Sequence, residues 1–472
     1  MDNATHSGVP DTNLHAVRLV PRTSIGGILP AGDKVGVNAS FSEQFFTVCV
    51  LVFSTGAFVS LFPGEHGLEY DEQGLLFAQI LWSLLYLAML FLVRKRIVEF
   101  AHLMWQNKPL VVLLSWAGIS AVWSIASQTT IRHFVALLFT SLFGIYFGVR
   151  YDLRQQVRLV SVALGIVIVA SVLVCLVFPE SGVGISPDSP LEEPAWHGVL
   201  THKNSLGALA VLATIILVLY FFKRVHRPIV VIGIVLLFFV VVLTEAKTSL
   251  VYFVIGIVTI PFVRAFQRNP SMRRKIVTYA ILIAAGLTMW IQNNWENFTY
   301  SLGKDPGLTG RVMLWGLAVE WIRQRPLLGF GLDAFWTSYY GPAADFRNAS
   351  HWFIGATAQN GFLDLCLDLG LIGVLLFVVS FAITYRQGLK LAKIVKSPEG
   401  LWPVVFLTFL FVYSLTEFGF LSRNNLYWIL YISIGIGVQS LLGKSASIMN
   451  TTLESSTARL ARGAMTPRLP AE

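Results

Sequence analysis

The run SVALGIVIVASVLVCLVF, residues 161–178, decides the fold of this chain. It has the length and the charge-free composition of a helix that crosses a lipid bilayer. The rest of the sequence has the same character, because 55% of the 472 residues are hydrophobic and only 13% are charged. Soluble domains do not have this balance, so the sequence predicts an all-α polytopic membrane protein.

Apolar runs of spanning length recur along the chain and predict about twelve transmembrane helices. They lie at residues 44–62, 74–93, 109–126, 131–149, 157–178, 204–222, 228–243, 248–265, 275–292, 361–385, 401–418 and 425–442. Helices 1–9 therefore occupy residues 44–292, and helices 10–12 occupy residues 361–442. Between them, residues 293–360 form a loop too long for a plain connector. Polar residues 1–43 predict a disordered N-terminal tail, and residues 443–472 a C-terminal tail.

Charge sets the orientation of the predicted spans. With the N-terminus in the cytoplasm, all but nine of the 35 Lys and Arg residues fall in or beside cytoplasmic segments. The outer connections are acidic, as in GEHGLEYDE at 64–72 and DSPLEEP at 188–194. Both tails are therefore predicted to be cytoplasmic, and the loop 293–360 to be periplasmic. The net charge of +9 is explained by this asymmetry, so no nucleic-acid partner is predicted.

Several of the nine outer basic residues stand at the starts of helices. Arg132, Lys203 and Lys247 begin the fourth, sixth and eighth spans, and Arg423 precedes the twelfth. If the helices bundle, these cations and the helix dipoles converge on one outer cavity that attracts a polyanion. The alternative is that each long side chain simply extends to the membrane interface.

The stretch LTGRVMLWGLAVEWIRQRPLLGFGLDAFW, residues 308–336, predicts an amphipathic helix inside the large loop. Its apolar stripe consists of Leu314, Leu317, Ala318 and Trp321. Arg311 lies in the first turn, where a cation opposes the helix dipole at a cost of roughly 0.3–1 kcal/mol. An anion bound there would make the placement useful, since a helix N-terminus and a guanidinium both bind phosphate. A solvated arginine is the alternative.

A few outer residues are candidates for proton transfer. Glu417 lies near the outer end of the eleventh span, where a carboxylate is expected to be functional or to pair with a cation such as Arg423. His351 in the large loop is a candidate base or a stacked loop residue. His197 and His202 flank the start of the sixth span but lack further ligands at zinc spacing, so no metal is predicted. No nucleotide-binding loop or other cofactor motif occurs.

Four motifs together resemble the O-antigen ligase/polymerase superfamily (Wzy and WaaL types), and most closely its ExoQ-type exopolysaccharide polymerases. They are HGVLTHKNSLGALA at 197–210, TEAKTSL at 244–250, TGRVMLW with PLLGFGLDAFW at 309–336, and AQNGFLDLCLDLGLIGV at 358–374. The resemblance covers roughly residues 44–442. It implies a GT-C-type glycosyltransferase of the bacterial inner membrane that uses undecaprenyl-pyrophosphate-linked oligosaccharide at its periplasmic face, without a metal or other cofactor.

The resemblance also implies roles for particular residues. Arg311 matches a family arginine and Arg132 does so more loosely, and with Lys203 and Lys247 they are expected to bind pyrophosphate. Residues expected to position the acceptor or the loop are His197, His202, Asn204, Trp315, Gln359 and Asn360. Catalysis is expected of Arg311 with Glu417 or His351. A chain-length regulator and a flippase are the implied partners.

Two residues depart from the family pattern. Lys247 stands where ligases often carry an arginine in a small turn, and lysine binds phosphate without the bidentate fork. Gln359 stands where a histidine is proposed to be catalytic, and a carboxamide cannot act as a base. Either His351 or Glu417 replaces it, or the reaction relies on stabilising the leaving group. A ligase and a lipid-linked-sugar flippase remain alternatives to the polymerase.

Overall fold

The computed structural model describes most of residues 39–464, with gaps at 59–71, 95–97, 99, 101–103, 106, 186–193, 222–226, 295–310, 337–343, 345–356 and 418. Within these residues the chain is all-α, apart from the two-residue strands β1 (Val183–Gly184) and β2 (Ala195–Trp196), which pair antiparallel. The fold class predicted from the sequence is therefore confirmed at the level of an all-α membrane protein.

The helices are numbered here in chain order. They are α1 (Phe41–Phe53), α2 (Glu72–Val93), α3 (Lys108–Ile119), α4 (Ser127–Arg150), α5 (Leu153–Val177), α6 (Pro179–Gly182), α7 (Lys203–Phe221), α8 (Arg227–Leu243), α9 (Lys247–Arg268), α10 (Arg273–Asn293), α11 (Arg311–Gln324), α12 (Gly361–Ile394), α13 (Pro398–Tyr413) and α14 (Leu426–Ala464). Local signals fix several starts. Asp152 and Gln155 form a capping box at α5, and Asn360 caps α12 through the backbone N–H groups of Phe362 and Leu363.

Each of the twelve apolar runs coincides largely with one helix, and only α6 and α11 lie outside the runs. Among the described residues, five helices are long and apolar enough to cross a membrane: α4, α5, α9, α12 and the Leu426–Ser445 part of α14. Helix α1 ends at Phe53, well before the predicted end of the first span at residue 62. Helix α14 continues to Ala464, into the region assigned to the C-terminal tail. The number of crossings and the side of each loop stay predictions.

Helices α4 and α14 pack closely because small residues line their contact. A Cβ atom added at Gly148 would lie 2.8 Å from the carbonyl oxygen of Ser433, and one at Gly144 would lie 2.9 Å from Ile432 Cβ. Such small residues let helix backbones approach inside a membrane. The indole of Trp428 donates a hydrogen bond to Ser141 Oγ at 3.0 Å, which fixes the register of the pair.

Helix α12 is interrupted at Gly370, and the loop after α11 enters the break. Gly370 has φ +67° and ψ −173°, which is not helical. The N–H groups of Leu371 and Ile372 donate to the carbonyl oxygens of Pro326 and Leu327, at 2.8 and 3.4 Å. The loop returns the contact, because the N–H of Phe330 donates to the carbonyl of Leu367 at 2.7 Å. The backbone groups released by the interruption are therefore satisfied by the loop.

Helix α11 is amphipathic, as the sequence predicted. Leu314 and Ala318 are fully buried, and Leu317 and Trp321 pack against the same small apolar cluster. The cluster is completed by aromatic residues of the following loop and by Leu367 of α12. The predicted stripe is confirmed, and it anchors the helix of the large loop on the first half of α12. The predicted N-cap, Thr309, lies outside the described residues.

Candidate functional site

Arg311, Glu417 and Asn204 meet in one polar cluster. The Nη2 atom of Arg311 lies 3.5 Å from Glu417 Oε1, and the Asn204 side-chain amide donates to the same oxygen at 2.9 Å. The guanidinium also donates from Nη1 to the backbone carbonyl of Thr416 at 3.2 Å. The side chains of Arg311 and Glu417 are only 14% and 21% exposed, so their attraction is weakly screened by solvent.

Four elements distant in sequence position this cluster. Arg311 is the first residue of α11, and Asn204 lies in the first turn of α7. Glu417 follows the end of α13, in a turn closed by its N–H bond to the Tyr413 carbonyl at 3.0 Å. Helix α9 contributes the hydroxyl of Tyr252, which is hydrogen-bonded to the hydroxyl of Thr416.

The segment that leads into α12 lies next to the same turn. The N–H of Gly361 donates to the carbonyl of Ser414 at 2.8 Å, and the indole of Trp315 donates to the carbonyl of Ala358 at 3.1 Å. Gln359 has φ +50°, a strained value for a residue other than glycine, while Asn360 serves as the helix cap. Strain of this kind often accumulates at functional sites.

The cations expected to bind pyrophosphate have different surroundings. Lys203 directly precedes Asn204 and is buried, with 8% of its surface exposed. Lys247 begins α9 and is exposed, and Arg132 is exposed on α4. Within the described residues, neither Lys247 nor Arg132 forms a hydrogen bond or ion pair with Arg311. Arg311 and Asn204 each contact Glu417, so the structure brings these three expected site residues together.

His197 and His202 contact the backbone around the start of α7. His197 uses its Nδ1 atom to hydrogen-bond the carbonyl oxygen of Leu200 at 2.7 Å, which is a loop-stabilising role. The His202 carbonyl accepts from the N–H of Ser205 at the start of α7. His351 lies outside the described residues. Among the described residues, no group of three or more His, Cys, Asp or Glu side chains is placed to hold a metal ion.

A second charged cluster was not expected from the sequence. Arg423 forms an ion pair with Asp333, and Asp333 Oδ2 also lies 3.3 Å from His133 Nδ1. The suggested pairing of Arg423 with Glu417 is therefore wrong, because each has a different partner. Burial alone would raise the pKa of Asp333, but Arg423 and His133 hold it below its ordinary value.

Two further acidic residues lie inside the protein on the first half of α12. Asp364 Oδ1 accepts hydrogen bonds from the N–H of Ala358 at 2.8 Å and from the indole of Trp336 at 2.9 Å. Asp368 is 3% exposed and lies beside the break in the helix. The sequence held a signal for both, since two acids within the apolar run LDLCLDL are costly unless they are used. Asp333 gave no such signal, because it lies in an aperiodic loop.

Part of this arrangement lies in a segment that is similar to known proteins. Residues 232–378 match the family model described as O-antigen ligase. The chain is also similar to the exopolysaccharide production protein ExoQ of Rhizobium meliloti (strain 1021), with 29% identity over 141 residues. This similarity covers 29% of the chain and 32% of ExoQ, so the chain matches about a third of that relative's length.

The matched segment includes Arg311, Trp315 and the entire α11 helix, together with the first half of α12. Asn204 and Glu417 lie outside it, so the structure rather than the family match connects them to Arg311. Residues 232–378 of this multi-pass membrane protein are therefore similar to the O-antigen ligase family, which agrees with the resemblance of its motifs to the O-antigen ligase/polymerase superfamily.

Proposed function

We propose that the protein polymerises undecaprenyl-pyrophosphate-linked oligosaccharide repeat units into an exopolysaccharide at the periplasmic face of the bacterial inner membrane. The contact of Arg311 with Glu417 carries the proposal, because it combines an anion-binding group with a proton acceptor in one cluster. The similarity to a protein named for exopolysaccharide production supports the choice of product. The reaction needs no metal and no nucleotide sugar, since the pyrophosphate of the donor is a good leaving group.

Arg311 binds the pyrophosphate of the lipid-linked donor in this proposal. Its guanidinium is held in place by Glu417 and the Thr416 carbonyl, so little side-chain entropy is lost when an anion binds. Its position at the first residue of α11 adds the backbone N–H groups of the helix N-terminus. Lys203, Lys247 and Arg132 are proposed to add positive potential around the same phosphate groups.

Glu417 accepts the proton of the acceptor sugar hydroxyl in the same step. The hydroxyl oxygen forms a bond to the anomeric carbon of the donor, and the bond from that carbon to the phosphate oxygen breaks. The electron pair leaves with the pyrophosphate, whose charge Arg311 stabilises. Before substrate binds, Arg311 is paired with Glu417. The more highly charged pyrophosphate then competes with Glu417 for the arginine, and the carboxylate becomes free to accept a proton.

The other expected residues have supporting roles in this proposal. Asn204 orients Glu417, and Trp315 holds the segment that contains Gln359 and Asn360 against α11. Gln359 lacks basicity, so it contributes a hydrogen bond to a sugar and leaves proton transfer to Glu417, with His351 as the alternative base. A flippase that delivers repeat units and a chain-length regulator are proposed partners.

The first test replaces Arg311 in a strain that lacks the wild-type gene. We expect Arg311→Ala to reduce polymer by about 100-fold or more, because a charge-stabilising donor in a transition state is worth that much. Arg311→Lys should restore part of the activity, since a point charge remains but the fork is lost. Polymer length and lipid-linked repeat units would be measured at matched membrane levels. Arg323→Ala, an exposed change in the last turn of the same helix, is the control.

A second test separates the base from the positioning role. Glu417→Gln keeps the size of the side chain and an oxygen that accepts from Asn204, but it cannot take up a proton at neutral pH. We expect polymer formation to fall by about 100-fold or more. The melting temperature should also fall, because the weakly exposed Arg311 loses its anion, so polymer is compared at matched membrane levels of folded protein. Wild-type polymerisation in Glu417→Gln would exclude Glu417 as the base and leave His351.

The family description favours one second candidate, a ligase that transfers a finished glycan to another acceptor. The same variants distinguish the two functions by what accumulates. Single repeat units on the outer leaflet in Arg311→Ala support the polymerase. Full-length glycan that stays on its lipid carrier supports the ligase. Repeat units trapped on the inner leaflet would instead identify a flippase and contradict both.

A further inference from the structure

An elongated groove lies between α1 and α5, away from the cluster around Arg311. One part has a volume of 430 Å³ and is lined by apolar residues of both helices. A second part of 320 Å³ has four polar side chains, Gln44, Tyr151, Gln155 and Arg158, among the six residues that line it. The two parts are adjacent, because Gln44, Arg158 and Leu159 line both.

The two helices present matched stripes to the groove. On α1, Gln44, Phe45, Val48 and Val52 recur at the spacing of one helix face. The helices start at the same end, since Glu43 in the first turn of α1 binds Arg150, which lies three residues before the start of α5. The polar part of the groove therefore lies towards the helix starts, and the apolar part continues along the helices.

Helix α5 supplies the charge. Arg158, Val162 and Ile166 follow one another along its groove-facing side, and Ile166 lies about 12 Å further along the axis than Arg158. Arg158 is exposed and has no ion-pair partner among the described residues. Glu43, in the first turn of α1, is already bound by Arg150 at 2.6 and 2.9 Å, and among the described residues no acid lines either part of the groove. The polar end of the groove is therefore positive.

We propose that this groove binds an anionic diacyl phospholipid. The phosphate-containing headgroup lies at Arg158, with hydrogen bonds from Gln44 and Gln155, and one acyl chain lies along Val48, Val162 and Ile166. Charge complementarity identifies the occupant as anionic, and the change from polar to apolar lining identifies it as a lipid. The headgroup end coincides with the side predicted to be cytoplasmic, where basic residues attract anionic lipids. This site is separate from the proposed polymerase reaction and does not depend on it.

Cys49 lines the apolar part of the groove and provides a reporter. The full-length protein, purified in a nonionic detergent, would be treated with N-ethylmaleimide, and modification of the Cys49 peptide would be followed by mass spectrometry. Phosphatidylglycerol or phosphatidylcholine would be added in mixed micelles. We expect saturable protection of Cys49, with phosphatidylglycerol effective at about fivefold lower concentration, the preference that one interfacial arginine gives.

Variants of two neighbouring arginines test the role of the charge. Arg158→Gln should make the two lipids equally protective, and Arg158→Lys should keep the preference for phosphatidylglycerol. Arg154→Gln is the matched control, because Arg154 is one turn away, does not line the groove and has a side chain that is 74% exposed. It should leave the preference unchanged.

Three results would overturn the proposal. Equal protection by both lipids in the wild-type protein would show a generic hydrophobic groove. An unchanged preference in Arg158→Gln would show that the arginine does not bind the headgroup. Slow modification of Cys49 without lipid, unaffected by either lipid, would show that another segment of the chain fills the groove.

Discussion

Replacing Gly370 with alanine should disrupt the contact between the broken helix and the loop after α11. A Cβ atom at this position would lie 2.1 Å from the carbonyl oxygen of Leu327, and the φ of +67° disfavours any side chain. A rotamer change relieves neither the clash nor the strain, because the clashing oxygen and the φ angle both belong to the backbone. The chain must therefore either rebuild the interruption as continuous helix or push the loop away.

The cost can be worked out from the bonds at the break. The left-handed conformation costs an alanine roughly 1–2 kcal/mol. The hydrogen bonds from Leu371, Ile372, Phe330 and Gly331 to the opposite segment are all at risk, at about 1 kcal/mol each. The total is roughly 5 kcal/mol, which is comparable with the whole stability of many domains. We expect the melting temperature in detergent to fall by about 10 °C.

Gly316→Ala is the matched control for this experiment. Gly316 lies in the middle of α11, and a Cβ atom there would meet nothing within 4 Å. Because alanine is the better helix former by roughly 0.5–1 kcal/mol, this variant should melt at or slightly above the wild-type temperature. Polymer formation in cells should follow the same order. A Gly370→Ala protein with the melting temperature of the wild type would refute both the interruption of α12 at Gly370 and the contact of the loop with it.

Variants at three further positions test the roles of individual residues. Asp333→Asn should destabilise the protein by about 1–3 kcal/mol, because Arg423 loses its anion while its 40% exposure to solvent limits the loss; thermal melting measures this. Asp364→Asn should have a melting temperature near that of the wild type, since its amide oxygen still accepts from Trp336. Asp364→Ala loses the hydrogen bonds from Trp336 and Ala358, so its free energy of unfolding should fall by about 2 kcal/mol or more. Gln359→Asn keeps a carboxamide for the proposed hydrogen bond to a sugar and tolerates the positive φ at this position, so polymer yield should stay near the wild-type level; a strong loss of polymer would contradict a role that a carboxamide alone fulfils.

The helices could be predicted from the sequence because hydrophobic length and periodicity determine them locally. The stripe of Leu314, Leu317, Ala318 and Trp321 was recognisable for the same reason, since a 3.6-residue period is visible without any partner. Helix ends were harder to predict. Helix α1 ends at Phe53 although apolar residues continue, and α14 continues to Ala464 although the sequence becomes polar. Apolar composition predicts which segments are stable in a lipid bilayer, but it does not determine where a helix ends.

The candidate site could be predicted only residue by residue. In the sequence, Arg311 and Glu417 each stand out by an unfavourable placement. Arg311 is a cation at a helix start, and Glu417 is a carboxylate near the end of a membrane span. Their pairing depends on how α11 packs against the end of α13, and a single sequence contains no signal for that. The partner proposed for Glu417 was instead Arg423, the nearest basic residue in sequence. In the fold, the loop between them turns Arg423 towards Asp333.

The placement of Arg311 is explained by what surrounds both ends of α11. At its start, Glu417 supplies the negative charge that offsets a cation beside the positive end of the helix dipole. At its end, the loop from Pro326 is hydrogen-bonded into the interruption at Gly370. One helix of the large loop is thus attached at both ends to the transmembrane bundle. A guanidinium fixed in this way can act on a substrate phosphate without first being ordered, which is the condition for electrostatic stabilisation of a leaving group.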